Sequence, residues 1–410
     1  MSAVFAVLGG LQHPGRPLAE PARLFSPIAL LRPQVSSRAT ALSADGVTWS
    51  ELGADAPRFH GSARRLLVGG QRTNTVRNPR AEGSPPTNWV VTPLAGLTTT
   101  FISSGVADGI NFATYEVSGT PSATTGSLLA FDTSIMAAAS EVWSGSAFIG
   151  LDPTFSNDVS GMQFALRLFA VSDPAGTSFT PTTAALSGQR VVTTRTMPAS
   201  TTTVQPRIRY SGTVGVPVLF RIRVGWPLCE RAAFASSPVL PPIGGPAAST
   251  RGADMLSASL SSLGIAATGA GTILLSCLVP QSGHGYTLVQ VDDGTESNRL
   301  GVVSLPSATQ LRASRNTAGA GAGIDIGTQS TAAVFRLGMS LDGAGRMAVS
   351  LNGAAVLSVS GAPTVGLTTL RISNNSVGTG PAFLELAHLR VLRFAVSDAG
   401  LRSLTAGLPG

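Results

Sequence analysis

Lysine is missing from this chain: every one of its 28 basic residues is arginine. Schiff-base chemistry on a lysine amine and any Walker-type phosphate loop are thereby excluded, since both need an ammonium at a fixed position. Cysteine is almost as scarce. Cys229 and Cys277 are too few for a disulfide framework, which leaves two buried thiols acting as small apolar side chains, or a single bridge. The histidines His13, His60, His284 and His388 stand apart with no His-Glu-x-x-His spacing, so a zinc site is not expected. A Gly-x-Ser-x-Gly nucleophile elbow is absent as well. No apolar run is long enough to span a bilayer, and Met1 to Gly10 lacks the positive start of a signal peptide. The reading is a chain with no membrane insertion, made in a cytoplasm.

Charged residues make up only 12% and aromatics 6%, while 43% are hydrophobic over 410 residues. That is enough apolar matter for two or three cores. The net charge of +7 raises the question of nucleic acid. Arg207, Arg209, Arg221 and Arg223 alternate with apolar residues, which predicts one solvated sheet face, and no nucleic-acid-binding motif accompanies them. The expectation is therefore no nucleic acid. An acidic polysaccharide or a neighbouring subunit's carboxylates would suit such a face.

Period-two alternation dominates what is present. Met162 to Leu168, Ile208 to Tyr210 and Phe220 to Val224 read as strands, divided by turn clusters at Ser156-Asn157-Asp158 and Asp173-Pro174-Ala175-Gly176. Asn352-Gly353 between apolar runs is a strong hairpin cue, because a type I′ turn needs positive φ at both positions. With the turn at Asp342 to Gly345 it predicts a three-stranded meander over 334–341, 346–351 and the strand after Gly353. Ser397 is placed to cap a short helix containing Leu401 and Leu404. The fold class is all-β: two jelly-roll or β-sandwich domains in tandem behind an extended N-terminal arm. Boundaries drawn from composition are 1–65 for the arm, 66–232 for the first sandwich, 233–256 for a proline-rich linker and 257–410 for the second sandwich. Pro14, Pro17, Pro21, Pro27 and Pro33 keep the arm extended, with Phe25 and Leu30-Leu31 as its apolar pegs. Pro238, Pro241, Pro242 and Pro246 stiffen the linker.

One block stands out: Leu66-Leu67-Val68-Gly69-Gly70-Gln71-Arg72-Thr73-Asn74, then Asn78-Pro79-Arg80-Ala81-Glu82-Gly83 and Pro86-Thr87-Asn88-Trp89. It resembles a signature of structural proteins from tailed bacteriophages and phage-like gene transfer agents, namely head spikes and tail fibres with carbohydrate-binding modules. Gly69 departs from it, since the family usually carries Glu there. Upstream, Arg38-Ala39-Thr40-Ala41, Asp45-Gly46-Val47 and Ala56-Pro57-Arg58-Phe59 resemble the family's lead-in. Downstream, Cys229-Glu230, Ala235-Ser236-Ser237-Pro238 and Thr250-Arg251-Gly252-Ala253-Asp254 resemble its exit. The resemblance implies a first sandwich similar to family 4 and 9 carbohydrate-binding modules. The second resembles laminin-G or concanavalin-like sandwiches. It further implies a non-enzymatic virion-surface protein that binds bacterial surface polysaccharide for host attachment, docks on other capsid or tail proteins, forms a trimer or else a pentamer, and leaves the cell by lysis. A glycan-cleaving depolymerase and a purely structural decoration protein are the alternatives.

Candidate site residues follow from chemistry. Sugar platforms need aromatics, and Tyr286 beside glycine is the candidate for an exposed one. Trp89 and Trp143 border strands, where an indole serves either core or ligand. Catalytic residues are not expected, because no strand carries the paired acids that glycan cleavage uses. Cofactors are not expected either, apart from calcium at Asp292-Asp293, which otherwise form a solvated turn. Glu230 is read as a structural partner of Arg72 or Arg80.

Overall fold

In a computed structural model of the protein, the alternation of Phe220 to Val224 and of Met347 to Leu351 appears as antiparallel strands sending successive side chains to opposite faces. The structure describes residues 29–31, 38–53, 56–123, 127–172, 176–280, 285–306, 310–331, 333–378 and 380–410. Among them the fold is all-β, with one α-helix, Asp398–Ala406, and one short 3-10 turn, Leu186–Gly188. The described residues divide into two units. Unit I takes its residues from Met1–Pro33, Ala54–Gly70 and Ala253–Gly410, and unit II from Gln34–Gly53 and Gln71–Gly252. Each is a β-sandwich.

In unit II a five-stranded sheet runs in the order Arg190–Thr196, Val142–Leu151, Val218–Glu230, Ile110–Gly119, Leu97–Ala107. The facing sheet is built on Gln163–Phe169 and Thr203–Ser211, and Phe164 and Tyr210 from it meet Phe220 edge-on at 5.6 and 6.3 Å. The outer face of the five-stranded sheet is buried too. A second small core of Trp49, Phe112, Phe148, Trp226 and Leu240 covers it, supplied partly by a small sheet of Val239–Leu240, Arg38–Leu42 and Trp49–Leu52. Trp226 reaches that core through a β-bulge. Phe148 pairs with Gly225 while Ser146 pairs with Leu228, and the intervening Trp226 takes φ +43°. An extra residue re-aims the side chain from one face of the strand to the other.

Unit I packs two seven-stranded sheets around one core. The meander expected from the sequence is there as Phe335–Leu341, Arg346–Leu351 and Leu357–Ser360. Asn352 and Gly353 have φ +53° and +75°, as a type I′ turn requires. Ser397 caps the helix, its Oγ accepting from Gly400 N at 3.2 Å, and Leu401 is buried beneath. A Cβ on Gly353 would lie 2.6 Å from Cβ of Ala406 in that helix. Gly353→Val is therefore expected to destabilise unit I by about 1–3 kcal/mol, a strained backbone position being joined to a clash. Denaturant unfolding checks it, and an unchanged midpoint would show that the turn is not used.

The units do not follow the boundaries drawn from composition. Residues 38–65 are not an arm: Arg38–Leu42 and Trp49–Leu52 form a hairpin in unit II, and Phe59–His60 pairs with Arg65–Val68 in unit I. Ala29–Leu31, which contains the proposed pegs Leu30 and Leu31, is a strand beside Met255–Ser259. Leu66 to Val68 belongs with the C-terminal sandwich, where Leu66 faces Leu386. Nor is 233–256 a free linker. Val239–Leu240 and Ser249–Arg251 are paired strands of unit II, and the carbonyls of Pro238 and Pro241 accept from Thr40 and Arg80. Proline there leaves its carbonyl available, and the fold uses it. Phe25, the prolines from Pro14 to Pro27 with Pro33, His13, His284 and the turn residues Asp173 to Ala175 lie outside the described residues.

Candidate functional site

The resemblance block turns out to be architecture. Asn74 is buried beside the bulge, where its Nδ2 donates to the carbonyls of Pro227 and Val239 at 3.1 Å and its Oδ1 accepts from Cys229 N at 3.1 Å. One amide side chain thus satisfies groups that the bulge takes out of the ladder. Asn78 donates to the carbonyls of Glu82 and Thr87 at 2.8 and 2.9 Å and accepts from Glu82 N at 2.9 Å, closing the turn around Arg80-Ala81. Arg80 is buried, bidentate on Glu51 with its Nη2 at 2.7 Å, and its Nε donates to Pro241 O. Glu230 pairs with Arg72 at 3.7 Å, as expected, and also accepts from the backbone and hydroxyl of Ser236. Burial pushes the Glu230 carboxyl up, and Arg72, Ser236 and Arg190 pull it back.

In unit I, Arg58 and Asp254 form a buried ion pair, and Asp254 Oδ2 also accepts from Gly69 N at 2.8 Å. The contact uses the backbone of residue 69 and needs no side chain there. A Cβ on Gly70 would meet Pro381 at 2.6 Å, which keeps that position free of a side chain.

The three aromatic candidates are core residues. Tyr286 is 2% exposed and donates its hydroxyl to Gln329, and burial pushes that phenol up to about 12. Its glycine neighbour signalled a loop, but Tyr286 begins the strand Tyr286–Asp292 and turns inward. Trp143, 4% exposed, donates Nε1 to Glu141 at 2.9 Å. Trp89, 8% exposed, stacks on Tyr115 at 6.4 Å and donates Nε1 to Asn78 O. None of the three presents a face to a ligand. Asp292 is likewise committed: its buried carboxylate takes Arg371 Nε at 2.8 Å and Gly294 N at 2.8 Å. Asp293 closes its own turn through Thr295 and Asn298. Among the described residues no group of three or more His, Cys, Asp or Glu could hold a metal ion. Cys229 and Cys277 are free and buried. Burial raises both thiols.

The arginines do not share one face. Arg207 and Arg209 lie on Thr203–Ser211, with the Arg207 guanidinium 3.8 Å above the Phe169 ring. Arg221 and Arg223 lie on the opposite sheet, paired with Glu116 at 2.9 Å and Asp152 at 2.8 Å. No helix among the described residues is long and apolar enough to cross a membrane.

What the structure opens is a cleft of about 430 Å³ in unit II, between the loop 180–189 and the start of the edge strand Arg190–Thr196. Its size falls within the roughly 300–1,000 Å³ of small-molecule sites. Phe179, Ile149 and Val191 are its apolar lining, and Thr180, Thr182, Gln189 and Arg190 are among its polar residues. Gln189 shapes the loop by accepting from Thr182 N at 2.9 Å and donating to Ala184 O at 2.8 Å. Phe179 is held by Phe164, 5.8 Å away. A smaller recess of about 140 Å³ adjoins it, lined by Asp108, Gln189 and Arg223 among others. Sequence reasoning passed over Phe179, Gln189 and Arg190, because they come from a short edge strand, a loop and a strand start that share no motif. The alternation around Phe179 is the only signal they carry.

No protein-family profile matches this chain, and no curated protein does. Solved structures with similar strand arrangements include a NanB chain with optactamide (12% identity over 36% of this chain, TM-score 0.30). Another is the N-terminal CBM22-1-CBM22-2 tandem of Paenibacillus barcinonensis Xyn10C (8% identity, 80% of this chain and 98% of that one, TM-score 0.25). A third is the tripod from the baseplate of bacteriophage Tuc2009 (12% identity, 72% of this chain and 98% of that one, TM-score 0.27). The present chain spans 26% of the NanB chain.

Proposed function

We propose that this protein is a structural spike or fibre subunit of a phage or phage-like particle that binds bacterial surface glycans for attachment, without cleaving them, through the cleft of unit II. The observation that carries this reading is the lining of the cleft. Phe179 lines it together with the amide of Gln189 and the hydroxyls of Thr180 and Thr182, and no Asp or Glu is among its lining residues in the described part of the chain. A ring face with a few convergent polar groups suits a saccharide, whereas cleavage calls for two carboxyls flanking the scissile bond. The particle assignment is supported by the resemblance block, whose residues build the fold in both units. Display as a trimer, or as a pentamer, would multiply a weak single-site affinity by avidity.

Incubation with host capsule or lipopolysaccharide tests the reading. The expected result is binding with no new reducing ends, and Phe179→Ala is expected to weaken it by about tenfold, about 1.4 kcal/mol, for loss of the ring face. Shortened chains would identify a depolymerase, and absence of binding a decoration protein.

A further inference from the structure

We propose that the cleft selects acetylated glycans, burying the acetyl methyl among Phe179, Val191 and Ala185. The inference rests on the glycan-binding reading above and adds the class of ligand.

Most polar groups around the cleft are already engaged. The Gln189 amide is saturated: Oε1 accepts from Thr182 N at 2.9 Å and Thr182 Oγ1 at 3.0 Å, and Nε2 donates to the carbonyls of Thr182 and Ala184 at 3.0 and 2.8 Å. Two N–H groups and an oxygen with two lone pairs are all that such an amide has. The Thr182 hydroxyl, besides donating to that amide, accepts from Ala184 N at 3.3 Å. The loop backbone closes on itself and on the strand Val142–Leu151. Gly188 N donates to Ala185 O, Gln189 N to Leu186 O, Ile149 N to Gln189 O and Leu151 N to Thr182 O. Arg190 pairs with Phe148 in the ladder, and its guanidinium bonds Ser146 Oγ at 3.2 and 2.8 Å and Ser236 O. Successive strand residues point to opposite faces, so Ile149 and Val191, which pack on the main core, lie on the face away from that charge.

What the cleft leaves uncommitted is apolar. Phe179 and Val191 are half-buried in its lining, and Ala184 and Ala185 are exposed. The Thr180 hydroxyl, with no partner among the described residues, is left to donate to one ligand oxygen. A sugar hydroxyl pressed against the apolar side chains would lose water and find no partner, whereas a methyl there gains burial. An acetyl group supplies that methyl and, in its carbonyl, an acceptor for a single donor.

The test uses the full chain in calorimetric titrations with fragments of O-acetylated xylan, mannan and host capsule, each beside its alkali-deacetylated form. Chito-oligosaccharide beside cello-oligosaccharide of equal length does the same for an N-acetyl group. At least one acetylated form is expected to bind about ten times tighter than its partner, as one apolar group in a hydrophobic pocket can give. Equal binding of both forms throughout would overturn acetyl selection and leave glycan binding standing. Binding of neither would overturn both. Val191→Thr, which keeps the shape of the side chain and adds a hydroxyl, is expected to shrink the preference while the deacetylated form binds as before. A preference kept whole in a variant with unchanged melting would sink the assignment of the methyl to Val191. Should that variant fail to fold, Ala184→Trp, which fills the cleft from an exposed loop position, is expected to remove binding of both forms. Undiminished binding there would place the site elsewhere.

Discussion

Asp254→Ala is expected to lower the stability of unit I by about 3–5 kcal/mol, the loss typical of breaking one half of a buried ion pair. The side chains of Arg58 and Asp254 are 2% and 0% exposed, so solvent screens neither. Removing the carboxylate strips Arg58 of its counter-charge. It also deprives Gly69 of the acceptor for its N–H, although the backbone bond from Asp254 N to Gly69 O at 2.7 Å survives. The same pair makes a sharper test. Arg58→Met combined with Asp254→Leu is expected to recover part of the loss, because two matched apolar side chains avoid the desolvation that a lone charge suffers. Denaturant unfolding followed at both sites measures this. A loss below about 1 kcal/mol in the single variant would mean that the pair sits in water.

Trp226→Ala is expected to cost unit II about 3–5 kcal/mol, in the range for deleting a buried aromatic, which for a unit of this size lowers Tm by about 10 °C. The indole is fully buried and meets Trp49 and Phe148 edge-on, each at 6.1 Å, while Nε1 donates to Asn111 at 3.3 Å. Its removal empties the centre of the small core. A variant with native melting would contradict the packing described.

The strands were legible because period two is a local property. Phe220 to Val224 and the Asn352-Gly353 turn announce themselves within a few residues, and the structure places both as expected. Partners were not legible. Nothing near Leu66 indicates that it will face Leu386, and Tyr286 sits beside a glycine while its hydroxyl partner, Gln329, is far along the chain. The same holds for the ion pairs. Glu230 with Arg72 could be anticipated from the exit motif, but Arg80 chose Glu51, on a hairpin that proline spacing had suggested was an arm. The cleft was invisible for a related reason: it is a gap between a loop and a sheet edge, and a gap leaves no pattern in the residues that border it.

The division of the chain also bears on how the protein is made. Unit I owns residues on both sides of nearly everything in unit II, and Arg65 finds Glu385 only across 320 positions. On the ribosome, Phe59–His60 and Arg65–Val68 emerge early and can pair with each other, but Arg65–Val68 must wait for Leu384–Leu392 before it joins the rest of its sheet. Unit II can close its main sheets meanwhile, since all of its residues precede Ala253. Synthesis cut short between Ala253 and Leu384 therefore yields a chain in which unit II has all its residues and unit I is left with an open edge, a form that quality control can distinguish from a chain in which both are closed.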